Sequence, residues 1–79
     1  MANINDNAAN SASQTKQILD YMQEGNSINP LQALGLFGCF RLGARIADIE
    51  KIIGYPPKRE RIKVTNHSGK DVWVMKYYL

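Results

Sequence analysis

The hydrophobic repeat of this chain changes period once, at Gly54-Tyr55-Pro56-Pro57, and that change limits the folds open to it. Ahead of the break, Leu42, Ile46, Ile49 and Ile53 stand at i, i+4, i+7 and i+11, one face of an α-helix. Behind it, Ile62 and Val64 alternate with Arg61, Lys63 and Thr65, and residues 72–79 are dense in β-branched and aromatic side chains. Gly54 ends the helix, and the two prolines prevent it from resuming. Helices first and paired strands second make an α+β domain.

Two more helices precede this one. Ile18, Leu19 and Met22, with Thr15 at the start, give an apolar stripe over about residues 14–24, which Ser13 would cap and Gly25 would stop. Asn29-Pro30 opens a second, short helix. Asn29 can cap, Pro30 suits the first helical position, and Gln32 stands three residues after the cap, as in a capping box. Leu31, Leu34 and Phe37 are read as its inward side, and it ends near residues 35–38. The third helix covers about residues 41–53.

The strands are joined by Asn66-His67-Ser68-Gly69-Lys70, a polar turn whose Gly tolerates positive φ. Trp73, Met75, Tyr77 and Leu79 are read as the buried strand face, because the other face carries Lys76; base stacking by Trp73, Tyr77 and Tyr78 is the alternative use. Residues 1–13 are mostly Asn, Ala, Ser and Asp, with too little to bury to offset the entropy of ordering. They are expected to form a disordered tail ahead of a domain over residues 14–79.

Much chemistry is excluded. With 79 residues the chain is one small domain. One Cys and one His permit no disulfide and no four-ligand structural zinc, and no cofactor is expected. Apolar runs are too short to span a bilayer, and the N-terminus lacks the regions of a secretory signal, so a soluble, cytoplasmic protein is expected. There is no glycine-rich phosphate loop. His67 has no nucleophile fixed beside it, and Cys39, ahead of the third helix, is read as a buried thiol. An enzyme is not expected.

Helix, short extended piece (Ser27-Ile28), helix, tight turn, helix, hairpin is the layout of a winged helix-turn-helix. In that layout Gly38 supplies the bend and Cys39 packs in the turn. The run Ser27-Ile28-Asn29-Pro30-Leu31-Gln32-Ala33-Leu34, then Phe37-Gly38, then Arg41-Leu42-Gly43-Ala44-Arg45-Ile46-Ala47-Asp48-Ile49, resembles a family of small winged helix-turn-helix domains common in bacteriophages and prophages. The resemblance covers about residues 15–79. It implies a DNA-binding domain working in a bacterial host cell. The chain departs from the pattern at Phe40, which stands where a polar helix cap is usual.

Charge is uneven. Residues 1–28 carry one base against three acids (net −2), and residues 29–79 carry nine bases against four acids (net +5). The basic part suits a polyanion, since each neutralised phosphate releases counterions. With its four aliphatics inward, the third helix turns Ala44, Ala47, Asp48 and Lys51 outward, with Arg41 and Arg45 on one flank and Gly43 on the other. A rod of about 20 Å with small residues outward can enter a major groove about 12 Å wide. Arg41 and Arg45 would reach bases or phosphates there, although Arg45 could instead pair with Asp48. Lys51 is either a phosphate contact or a solvated end. Asp48 repels phosphate but can accept from cytosine, or it marks a protein-binding surface. On the hairpin, Arg59, Arg61, Lys63 and Lys70, with His67 at the tip, form a second basic surface. It would lie along the backbone or minor groove, unless its charge serves only to keep a strand edge soluble.

The sequence thus points to a small phage or prophage transcriptional regulator on double-stranded DNA, acting as a homodimer or beside a second protein, with no small-molecule ligand and no membrane. A protein-interaction module on the same fold is the alternative, as adaptor or inhibitor of a host protein. A replication or excision accessory that bends DNA is a third.

Overall fold

The computed structural model describes residues 7–79, and side chains from Ala12 onward. The element order is α1 (Asn7–Gln23), α2 (Pro30–Phe37), α3 (Leu42–Ile53), β1 (Lys58–Thr65) and β2 (Asp71–Tyr78). Helix α1 starts at Asn7, ahead of the expected start at Gln14, so Ser13 lies inside it and caps nothing. Alanine is the strongest helix former, and Ala8, Ala9 and Ala12 favour the earlier start of α1. Residues 1–6 of the expected disordered tail lie outside the described residues.

The core is built by three helices. Ile18, Leu19 and Met22 of α1 meet Ala33 of α2 and Leu42, Ile46 and Ile49 of α3, with Ile28 and Cys39 between them, all buried. Ile53 packs on this cluster at the end of α3, so the ridge read from the sequence is the seated side of that helix. Helix α2 is turned differently from the expectation. Ala33 is its buried residue and Phe37 packs beside it, with its ring edge-on to Tyr21 at 5.6 Å, while Leu34 is exposed. Eight residues that are apolar on nearly every side offer no periodicity to choose a face, and Ala33 wins because its small side chain lets α2 lie close to its neighbours.

The caps follow the sequence. The Asn29 side chain accepts from the Gln32 amide at 2.9 Å, and the Gln32 side chain accepts from the Asn29 amide at 3.1 Å. At the far end Gly38 takes the left-handed conformation (φ 63°), and the amides of Gly38 and Cys39 close on the carbonyls of Leu34 and Ala33. That bend turns the chain into α3. Helix α3 has Arg41 at its cap position with no side-chain cap bond.

Strands β1 and β2 pair antiparallel, with Arg59 opposite Tyr77, Arg61 opposite Met75 and Lys63 opposite Trp73. Asn66 organises the turn by accepting the amides of Ser68 and Lys70 on its side chain. Ile28 joins the other edge of β2 through two bonds with Tyr77, of 2.9 and 2.8 Å, and ties the hairpin to the helices. Only one end of the expected inward face is therefore covered. Tyr77 and Leu79 pack against the core, but Trp73 is 59% exposed. The core meets this face of the hairpin at Tyr77, beside the Ile28 bridge, and Trp73 lies four residues nearer the tip than Tyr77.

Candidate nucleic-acid interface

Helix α3 offers water a different arc from the one expected. Gly43, Ala47, Glu50 and Lys51 are exposed, whereas Ala44, Arg45 and Asp48 are half-buried. The cause is α1, which packs along the flank that holds Arg45 and Asp48. The Thr15 hydroxyl donates to Asp48 across the two helices at 3.4 Å. Asp48 also holds Arg45, its Oδ2 lying 3.2 Å from the guanidinium. The Arg45 side chain is only 13% exposed, and its Nε is buried without a hydrogen-bond partner among the described residues. Of the two roles open to Arg45, the structure has it in the pair with Asp48. Of the two acids on this helix that favour the protein-interaction alternative, Asp48 and Glu50, only Glu50 lies on the free side, with Gly43 and Ala47 (i, i+4, i+7).

This pair should contribute to stability. Asp48→Ala is expected to lower the unfolding free energy by about 1–2 kcal/mol, seen as a lower denaturant midpoint at constant m-value. The effect stays below the 3–5 kcal/mol of a fully buried pair because 39% of the Asp48 side chain faces water. An unchanged midpoint would release Arg45 from this role.

Arg41 is exposed at the N-terminal end of α3, beside Phe40, which is 85% exposed. Lys51 is exposed in the last turn, at the rim of an open groove between α1 and α3 that Leu19 and Ile52 also line. The free side of α3 is thus a shallow strip of two small residues, with a cation at each end and Glu50 among them.

The hairpin carries the second surface. Arg59, Arg61 and Lys63 alternate along β1, which puts them on one face of the sheet. Each lies over an aromatic ring of β2: Arg59 over Tyr77 at 5.8 Å, Arg61 over Trp73 at 5.2 Å and Lys63 over Trp73 at 5.9 Å. The opposite face differs, since Lys76 pairs with Glu60 at 3.3 Å and Ile62, Val64, Val72 and Val74 are half-buried there. Among the described residues, no carboxylate pairs with Arg41, Lys51, Arg59, Arg61, Lys63 or Lys70. His67 and Lys70 are exposed in the turn, and His67 sits beside Leu31 and Leu34 of α2. Cys39 is buried in the turn ahead of α3, as expected. Among the described residues no helix is long and apolar enough to cross a membrane, and no three His, Cys, Asp or Glu side chains are grouped to hold a metal.

Three helices with a tight Gly38 turn before the third, followed by a two-stranded antiparallel hairpin, define the architecture. The pattern of the winged helix-turn-helix domain matches residues 13–79. The chain belongs to that family. No curated protein and no solved structure matches it. In this winged helix-turn-helix domain α3 is the second helix of the helix-turn-helix and the hairpin is the wing. Domains of this type are typically non-enzymatic modules that bind DNA, so DNA is the partner the fold implies.

Proposed function

We propose that this winged helix-turn-helix domain is a sequence-reading duplex-DNA regulator of phage or prophage origin, with α3 in the major groove and the wing on the backbone or minor groove. The carrying observation is the pair of basic surfaces, each left unneutralised by the acids among the described residues: Arg41 and Lys51 at the ends of the free side of α3, and Arg59, Arg61 and Lys63 on the wing. Gly43 and Ala47 keep that side low enough for the helix backbone to approach base edges. Arg41 is the residue we assign to base or phosphate contact, Lys51 and Lys70 to phosphate, and the three wing cations to the backbone or minor groove. Ala47 replaces Ala44 at the closest approach. Arg45 and Asp48 hold α3 to α1, and His67 faces α2 more than the DNA. One such module covers only about 600–1,000 Å² of DNA, so a homodimer or a second protein completes the site.

Selection of bound duplexes from a random pool tests this reading and should return one short motif. On that motif Arg41→Ala should cost about 1–3 kcal/mol of binding, while its thermal midpoint stays that of the parent. A pool that returns unenriched would favour the second reading, a protein-interaction module in which Glu50 and the exposed Phe40 meet a protein surface.

A further inference from the structure

Trp73 is the one tryptophan of the chain, and it stands 59% exposed on the strand face whose other end, at Tyr77, is tied into the core. A large ring left in water, on a face that continues into a packed one, calls for a use. Its neighbours suggest which. Lys63 lies directly opposite it in the register and Arg61 on the diagonal, and both hold their charge over its ring. A carboxylate partner would occupy the N–H donors of Arg61. A ring partner leaves the N–H donors of the guanidinium free. Arg61 is therefore held beside Trp73, 5.2 Å from its ring, without being neutralised.

We propose that Trp73 is a positioning residue that sets Arg61 for insertion into the minor groove of an A·T-rich duplex. The inference rests on the DNA-binding reading above and names what the wing senses. The minor groove is about 6 Å wide, too narrow for a helix but open to a planar guanidinium. Over A·T pairs it presents acceptors alone, and narrow A-tracts deepen its negative potential. A G·C pair adds the guanine amino group, a donor that opposes the donors of Arg61. The other face of the wing carries no guanidinium: its cations are Lys58, over Tyr78, and Lys76, which Glu60 already holds.

The test uses the full chain and three labelled duplexes identical except in one short flank, built of A·T, G·C or inosine·C pairs. Inosine lacks the minor-groove amino group but keeps the major-groove edge of guanine, so it separates wing reading from helix reading. The A·T and inosine duplexes should bind alike, and the G·C duplex about tenfold more weakly. Arg61→Ala should abolish that ratio and lower the salt slope by about one. Trp73→Leu should shrink the ratio while leaving the salt slope and the thermal midpoint in place, and Trp73→Phe should restore most of it. Indole fluorescence should change on binding the A·T duplex. Equal, salt-sensitive binding to all three duplexes overturns the inference and leaves the DNA reading intact. So does a Trp73→Leu variant that weakens all three equally. Binding to none of the three removes the DNA reading itself.

Discussion

Raising salt from 50 to 200 mM should weaken the hold of this chain on random duplex DNA by about 10²- to 10³-fold. The magnitude follows from counting cations. Arg41, Lys51, Lys58, Arg59, Arg61, Lys63 and Lys70 are exposed and unpaired among the described residues, enough for about four to six phosphate contacts. Each contributes a slope of about −0.9 in log K against log salt, and a fourfold rise in salt then gives that loss. Arg45 is left out of the count because Asp48 already neutralises it. Arg45→Ala should accordingly leave the slope unchanged, and Arg61→Ala should reduce it by about one. A flat titration, with the chain still folded, would set DNA aside and favour a protein partner. Fluorescence anisotropy of a labelled duplex at several salt concentrations makes the measurement.

Ile49→Ala should lower the unfolding free energy by about 2–5 kcal/mol, the range for cutting a buried Ile back to Ala. Ile49 is fully buried where α1 and α3 meet, and the hole left behind cannot be filled by a core this small. Domains are stable by only about 5–15 kcal/mol, and short ones fall at the low end, so part of the population should unfold at ordinary temperature. Ile52→Ala, three residues on in the same helix, should change stability by no more than about 0.5 kcal/mol, because Ile52 is 61% exposed. Urea denaturation of the two variants compares them directly. Equal losses would mean that α3 is seated otherwise than described, and the assignment of its free side would go with it.

The two basic surfaces were legible to different degrees. On the wing, alternation alone placed Arg59, Arg61 and Lys63 together, since strand side chains repeat every second residue whatever the surroundings. On α3, the seated ridge of Leu42, Ile46 and Ile49 was equally plain. Its free side was not, because a helix wheel gives the direction opposite the ridge but not how far a neighbouring helix wraps around the flank. Helix α1 wraps far enough to take Arg45 and Asp48.

Local chemistry determined the elements and their ends. The capping box of Asn29 and Gln32, the left-handed glycines at 38 and 54 and the change of period after Gly54 act over a few bonds, and they read the same in any context. Tertiary packing decided which side of α2 turned inward, what became of Arg45, and that Trp73 stays in water with Arg61 across its face. Those outcomes depend on how far one element reaches over another. That reach is set by distances through space between residues remote along the chain, which no local spacing encodes.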